Sequence, residues 1–138
     1  MSVLAEKLNN ILAELRRIPD VPSVLIVRKD GTVIAANTPG KTNQNKVASM
    51  VAGIASTSEL AVGELDQGEF QEVLVETQDG RVLGVGAGED AILVALVKKE
   101  SNIGLILLTL KKYAAEVARI VSSEKLQELI AVDGSVSR

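Results

Sequence analysis

Two Asp-Gly dipeptides, each set between apolar segments, do most to limit the folds open to this chain. Asp30-Gly31 separates "SVLIVR" from "TVIAA", and Asp79-Gly80 separates "EFQEVLVET" from "RVLGVG". An Asp-Gly pair supplies the positive φ angles that a tight hairpin turn requires. Each pair therefore predicts a β-hairpin with antiparallel strands.

The spacing of apolar residues predicts the remaining elements. Recurrence at three and four residues indicates helices, and short apolar runs indicate strands. The order is α-β-β-α-β-β-β-α. We expect helices over residues 3–18, 41–61 and 103–121, and strands over residues 23–28, 32–36, 69–77, 81–86 and 91–97.

Two of these strands are apolar without alternation. They contain "VLIV" in the first strand and "AILVALV" in the fifth, which indicates that both of their faces are covered. Such strands belong in the middle of a sheet, with helices on both sides. The sequence therefore predicts an α/β fold with three α-β-α layers around a five-stranded antiparallel sheet.

The length of 138 residues suits one domain. We expect this domain to occupy residues 1–121 and residues 122–138 to form a tail, with a short helix and then a flexible stretch. The longest apolar runs are residues 91–97 and 103–110, and neither approaches the ~20 residues that span a bilayer. The first residues, "MSVLAEKLNN", carry charge early, unlike a signal peptide. We expect a cytoplasmic protein without membrane insertion.

The residue types that are missing limit the chemistry. The chain has no cysteine and no histidine, which removes thiolate nucleophiles and the commonest general base and zinc ligand. Its net charge of −3 argues against nucleic-acid binding, which needs a clustered basic excess. We expect no catalytic residue, metal or cofactor. One cluster of carboxylates is better explained as a solvated charge run: Glu59, Glu64, Asp66 and Glu69.

One loop has the setting of a phosphate-binding P-loop, because Gly40-Lys41-Thr42 follows a strand and precedes a helix. That motif needs another glycine five residues before Gly40, where this chain has Ala35. Pro39 also removes one of the N–H groups that would hold phosphate. We interpret the loop as a turn that leads into a helix, without nucleotide binding.

A second glycine-rich stretch, "GVGAGED", begins at Gly84. A dinucleotide-binding fingerprint opens a helix, but this stretch continues into a strand. We therefore interpret Gly86 and Gly88 as parts of a hairpin turn, and Gly84 as a bulge or a point of close packing.

The middle helix is rich in small residues. Gly53 costs about 1 kcal/mol relative to alanine within a helix, which favours a packing reason for it. We expect a core face made of Val47, Val51, Ile54 and Ala61. The helix also carries two rows of mostly small residues, which consist of Ala48, Ala52, Ala55 and Glu59, and of Ser49, Gly53 and Ser56. Either these rows support self-association or they pack on the sheet.

The third strand, within "FQEVLVET", has no proline, no lysine and no bulge signal. At the edge of a sheet, its unpaired N–H and C=O groups would be a template for another strand. Pairing with its own copy across a two-fold axis is the simplest way to cover such an edge.

The sequence resembles the roadblock/dynein-light-chain-type domain, in the prokaryotic class related to the bacterial mutual gliding protein B. The resemblance covers nearly all of residues 4–121 and rests on element order, spacing and the small-residue helix rather than on one motif. Asp20 stands where the family often has glycine. The matching segments are "IPDVPSVLIVRKDGTVIAA", "VASMVAGIASTSELAVGELDQGEFQEVLVETQDGRVLGVGAGEDAILVALV" and "SNIGLILLTLKKYAAEVARI".

The resemblance implies a roadblock fold, a relative of the profilin-like folds, and a homodimer. In the family, third strands pair across the two-fold axis and second helices lie side by side on one face, while the first and last helices cover the other. Its members bind or scaffold Ras-like small GTPases, and some accelerate GTP hydrolysis without inserting an arginine. We expect the dimer contact at Ala48, Ala52, Ala55, Gln71, Val73, Val75 and Thr77.

The GTPase would meet the outward row of the middle helix. That row carries no arginine, whereas an arginine finger contributes about 10³–10⁵ in rate, so docking or positioning of the GTPase's own residues is the expected role. A ligand-sensing domain of PAS or profilin-like type is the alternative. The expected partner-binding residues are Lys46, Ser49, Met50, Gly53, Ser56 and Thr57.

Overall fold

The structure, a computed structural model, describes the backbone of residues 3–136 and the side chains of residues 3–123. The predicted order α-β-β-α-β-β-β-α is confirmed. The elements are α1 (Val3–Arg16), β1 (Ser23–Arg28), β2 (Val33–Asn37), α2 (Gln44–Glu64), β3 (Glu72–Glu76), β4 (Gly80–Ala87), β5 (Ala91–Lys98) and α3 (Ile103–Val136).

Several boundaries differ from the sequence-based expectation, and two of these differences have identifiable local reasons. α2 begins at Gln44 rather than at residue 41, because the side chain of Asn43 caps it and accepts a hydrogen bond from the N–H of Lys46 at 3.1 Å. α3 continues to Val136, so its predicted end near residue 121 is wrong. The intervening "SSEK", residues 122–125, contains neither glycine nor proline to stop a helix. The division into a domain and a tail stays a prediction.

All five strands form one antiparallel sheet in the order β2-β1-β5-β4-β3. β1 and β5 each have a neighbour on both sides, which confirms that the unbroken apolar runs lie in the middle of the sheet. β2 and β3 are the two edges of the sheet.

Successive residues of the central strands face opposite helical layers. Val24 and Ile26 of β1 point into a core shared with α1 and α3, whereas Leu25 and Val27 point into a second core under α2. The predicted three-layer arrangement is therefore confirmed, and its physical cause is the alternation of side chains along a strand that is apolar at every position.

The first hairpin turn explains why the chain needs Asp30-Gly31. Gly31 has a φ of 95°, in the left-handed region that glycine adopts readily. Asp30 Oδ1 accepts hydrogen bonds from the Thr32 hydroxyl at 2.7 Å and the Thr32 N–H at 2.9 Å. These two bonds, the hydroxyl first, lower the pKa of the Asp30 carboxyl.

Asp20 also lies in the left-handed region, with a φ of 74°. Its carbonyl accepts a hydrogen bond from the N–H of Lys98 at 2.9 Å, which fixes the entry to β1. Aspartate tolerates this conformation better than most residues, so the position accepts aspartate where a glycine would be unstrained.

Gly84 is a point of close packing and not a bulge. β4 pairs in regular register with both β3 and β5. A Cβ atom at Gly84 would lie 3.2 Å from Cγ1 of Val73, 3.6 Å from Cγ2 of Ile92 and 3.7 Å from Cγ1 of Val51. The absence of a side chain thus lets the flank of α2 approach β4.

We expect Gly84→Val to lower the free energy of unfolding by about 1–3 kcal/mol, the usual cost of overpacking a core. Gly63→Ala is the matched control, because nothing lies within 4 Å of a Cβ at Gly63 and alanine is the better helix former. Urea unfolding followed by circular dichroism at one protein concentration measures both. Equal effects of the two changes would contradict close packing at Gly84.

Candidate interaction surfaces

α2 turns a face of small residues toward the sheet. Val51 is buried and Val47 is half-buried against the core under α2, while Ile54, at 39% exposure, and Ala61 face solvent. The expected core face is therefore wrong at Ile54 and Ala61. The buried residues are Ala48, Val51, Ala52 and Ala55.

The cause lies in the sheet below. Leu25, Val27, Ile92 and Val94 fill the space beneath α2, so small side chains let the helix sit close to these bulky ones, in keeping with dense core packing. Most of the side-chain volume in this core therefore comes from the strands, and α2 contributes mainly alanines.

Three of the predicted dimer residues are buried because this face of α2 points toward the sheet. Ala48, Ala52 and Ala55 are exposed by only 0%, 4% and 1%, and Ala48 and Ala55 belong to the core cluster under α2. Their contact with a second copy stays a prediction, and their burial within the same chain does not favour it.

The opposite side of α2 is an exposed row, which we call the outer row of α2. Gly53 stands in its middle, and a Cβ added there would meet nothing within 4 Å. The packing reason expected for this glycine is therefore not found among the residues that the structure describes. All six predicted partner-binding residues are exposed and form this row: Lys46, Ser49, Met50, Gly53, Ser56 and Thr57.

Two hydroxyl groups on α2 are bonded to the helix itself. The Thr57 hydroxyl donates to the carbonyl of Gly53 at 2.9 Å, and the Ser58 hydroxyl donates to the carbonyl of Ile54 at 2.8 Å. Such bonds to the preceding turn hold the side chains down. Because these two side chains lie close to the helix and Gly53 has none, this part of the α2 surface is flat.

Beside α2, part of the sheet lacks a helical cover. α2 packs on β1, β2 and β5, so the same face of β3 and β4 is only partly shielded. Val75 pairs with Val82, and Val82 pairs with Leu96, which is 41% exposed. Ile54 lies on α2 at 39% exposure. We call Val73, Val75, Val82 and Leu96 the open floor.

The hydrogen bonds of β3 show which of its backbone groups face outward. The Thr77 N–H donates to the Gly80 carbonyl and the Gly86 N–H donates to the Gln71 carbonyl, both at 2.8 Å. Because hydrogen-bonded and non-hydrogen-bonded pairs alternate, Gln71, Val73, Val75 and Thr77 bond to β4. The outward N–H and C=O groups therefore belong to the residues that the sequence did not single out, Glu72, Leu74 and Glu76.

The two edges of the sheet differ. β2 carries a register irregularity opposite Ile26 and Val27, and Pro39 follows two residues after its end. Both features discourage pairing with a further strand. β3 pairs with β4 in unbroken register and contains neither lysine nor proline, so it is the edge suited to pairing.

The loop at Gly40-Lys41-Thr42 leads from an edge strand of an antiparallel sheet into α2. Gly40 has a φ of 63°, and the cap of the helix is Asn43. The loop is thus a turn between an edge strand and a capped helix, as interpreted from the sequence.

The described part of the chain contains no group of three or more acidic, histidine or cysteine residues that could hold a metal ion. Between residues 3 and 136, no helix has the length and apolar character needed to cross a membrane. A cleft of about 710 Å³ opens at the start of β3 and is lined by Phe70 and by charged residues that include Lys29 and Glu59. Lys29 Nζ lies 2.7 Å from Glu59 Oε1, and both side chains are partly exposed, by 30% and 38%, so this part of the cleft is charged and open to solvent.

Comparison with known proteins gives the family. The family model of the Roadblock/LC7 domain matches residues 7–97. Two uncharacterized proteins of Methanocaldococcus jannaschii, MJ1340 and MJ0310, are each 32% identical to the chain over 110 residues, which make up 80% of this chain and 96% of each relative.

Solved structures share the fold. A structure described as MglB with tetrameric arrangement superposes with a TM-score of 0.83 at 24% identity, covering 89% of this chain and 93% of that one. The gliding protein MglB from Thermus thermophilus gives a TM-score of 0.82 at 24% identity, covering 89% of this chain and 94% of that one. At these identities the likeness concerns the fold.

We expect no measurable affinity for nucleotides, because the Gly40 loop lacks the first P-loop glycine and the N–H that Pro39 removes. Calorimetric titration with GTP and with ATP, each with magnesium, should give no heat of binding. A micromolar dissociation constant that is lost in Lys41→Ala would mean that the loop does hold phosphate.

Proposed function

The chain belongs to the Roadblock/LC7 domain family, and from that membership we propose that it is a non-catalytic, dimeric regulator or scaffold that binds a Ras-like small GTPase in the cytoplasm. The observation that carries the proposal is the outer row of α2. Its central residue, Gly53, is exposed and has no neighbour within 4 Å of a Cβ position, so the helix gives up about 1 kcal/mol at a position that meets nothing in the part of the chain that the structure describes.

A homodimer would form where the sheet ends at β3. The outward backbone groups of Glu72, Leu74 and Glu76 offer hydrogen bonds to a second β3, as inferred from the bonds at Thr77 and Gly86. The open floor supports the same contact, because Val75, Val82 and Leu96 would be covered by a second copy. On α2, the flank with Val47 and Ile54 is nearest to that floor, and it suits the dimer better than the buried alanines do.

The GTPase would dock on the two outer rows of α2 that such a dimer sets next to each other. Small residues there allow a partner's backbone to come close, and Met50, at 61% exposure, is a soft side chain that adapts to the shape of its partner. Lys46 adds a positive charge at the start of the row.

The role at the GTPase would be positioning. α2 contains no arginine, so this surface lacks the residue that stabilises transition-state charge in arginine-finger activators. Any promotion of GTP hydrolysis would therefore act by holding residues of the GTPase itself in place, and docking without acceleration would make the protein a scaffold.

We expect a homodimer in solution that Leu74→Pro converts to a folded monomer. Proline removes an N–H group, and at Leu74 that group faces outward. Val75→Pro is the matched change on the same strand, but the Val75 N–H bonds to β4, so it should also lower the free energy of unfolding of the protomer. Light scattering over a dilution series gives the mass, and circular dichroism with urea gives the stability. A wild-type mass near 14.5 kDa at all concentrations would refute the dimer.

We expect Gly53→Arg to weaken GTPase binding by about 2 kcal/mol or more, roughly thirty-fold, as for a residue central to an interface. An outward arginine adds bulk without reaching the core. Gly63→Arg is the matched control on the same helix, since Gly63 is also exposed with no neighbour within 4 Å of a Cβ position.

The measurement is a titration with the GTP-loaded small GTPase encoded near the protein, together with a check of fold and mass. If Gly53→Arg stays dimeric and binds as tightly as wild type, the outer row of α2 is not the docking surface, and α1 and α3 become the surfaces to test.

A further inference from the structure

We propose that β3 pairs with its own copy in one register only, centred on Leu74. Lys111 and Arg81 make this register possible because they neutralise the glutamates that it brings face to face. The inference rests on the proposed homodimer and adds the register in which its two β3 strands meet. It starts from the charges of β3, because Glu72 and Glu76 stand at the two ends of the strand.

Two-fold symmetry and hydrogen bonding limit the registers. Antiparallel strands pair outward-facing residues with outward-facing residues, and on β3 those are Glu72, Leu74 and Glu76 according to the bonds to β4. One residue of β3 must then lie directly opposite the same residue of the second copy, and the two-fold axis passes between these two residues. Within the strand, the possible centres are Val73, Leu74 and Val75.

Only the register centred on Leu74 pairs the whole strand, Glu72–Glu76, with its copy. It sets Val73 opposite Val75 of the second copy, on the sheet face that α2 covers. On the other face it sets Leu74 opposite Leu74 of the second copy. A centre at Val73 or Val75 instead sets Leu74 against a glutamate and leaves one end of the strand without a strand partner.

The same register sets Glu72 opposite Glu76 of the second copy, twice in the dimer. Like charges directly opposite each other in a sheet are destabilising. Each of these glutamates has a cation within its own chain. Nζ of Lys111 on α3 lies 3.2 Å from Glu72 Oε1, and Nε of Arg81 on β4 lies 3.0 Å from Glu76 Oε1.

The side chain of Arg81 on β4 is largely buried. Its side chain is 20% exposed, and its Nε and Nη1 are buried without a hydrogen bond. The short distance from Nε to Glu76 is therefore an ion pair whose angle does not meet that of a hydrogen bond. A second carboxylate, Glu72 of the second copy, would arrive beside Glu76, close to the positive charge of this guanidinium. The four carboxylates at the contact would thus meet four cations.

The register is tested by single cysteines, because the chain contains none. Opposed residues in a hydrogen-bonded antiparallel pair have Cα atoms about 5.5 Å apart, within the range that a disulfide spans. Leu74→Cys should therefore cross-link to its copy faster than Val73→Cys or Val75→Cys under mild oxidation, with all three variants checked for fold and mass before oxidation.

The charge compensation is tested by Lys111→Gln, which leaves Glu72 unpaired in both copies. We expect the dissociation constant of the dimer to rise by about two-fold to about thirty-fold, the range for two like-charge pairs in a sheet. Adding sodium chloride should reduce the difference, since salt screens exposed charges. Adding Glu72→Gln to Lys111→Gln should restore the wild-type value. Lys112→Gln, the next residue on α3 and exposed, is the control and should have no effect.

The outcomes separate this inference from the dimer itself. A wild-type dimer that cross-links fastest at residue 73 or 75, or in which Lys111→Gln behaves like Lys112→Gln, overturns the Leu74 register or the role of the cations while the dimer stands. A wild-type monomer overturns both. Fastest cross-linking through Leu74→Cys, with weakening by Lys111→Gln and recovery by Glu72→Gln, is the expected result.

Discussion

The packing of α2 on a sheet that is apolar at every central position is the constraint on which the rest of this structure depends. β1 and β5 send large side chains to both faces, as Leu25 and Ile92 do on the side of α2. A helix that lies on such a surface fits best with a small-residue face, so Ala48 and Ala55 point inward. Two larger apolar residues of α2, Met50 and Ile54, are left at the surface, so the rotation of the helix determines which side chains its outer surface presents.

The same constraint explains why the sheet is covered unevenly. One helix on the α2 side cannot cover five strands that lie about 4.8 Å apart, whereas α1 and α3 share the opposite side. α2 lies over β1, β2 and β5, and the floor near Val75 and Leu96 stays partly open next to the edge strand β3. The partly open sheet face and the open edge of β3 adjoin each other, and the proposed homodimer would cover both with a second copy.

Element type and order could be predicted because they depend on local features. Asp30-Gly31 and Asp79-Gly80 mark the hairpins, and apolar runs without alternation mark the central strands. The exposure of Gly53 and its row also followed from helical periodicity. The full core face of α2 could not be predicted this way, because Ile54 is more hydrophobic than alanine, and only the bulk of Leu25 and Val94 beneath the helix favours the buried alanines over it.

The sequence by itself determined the succession of helices and strands, the place of β1 and β5 in the middle, and the suitability of β3 as an edge. Tertiary structure alone decided which groups of that edge face outward. If Asp79 and Gly80 formed a two-residue turn, the backbone N–H and C=O of Leu74 would point toward β4. The turn instead consists of residues 78 and 79, since the Thr77 N–H bonds to the Gly80 carbonyl. A shift of one residue reverses every backbone group and side chain of a strand. With the turn in this place, Gly80 is the first residue of β4 and pairs with β5. A Cβ atom at Gly80 would lie 3.2 Å from the carbonyl oxygen of Val97 on β5.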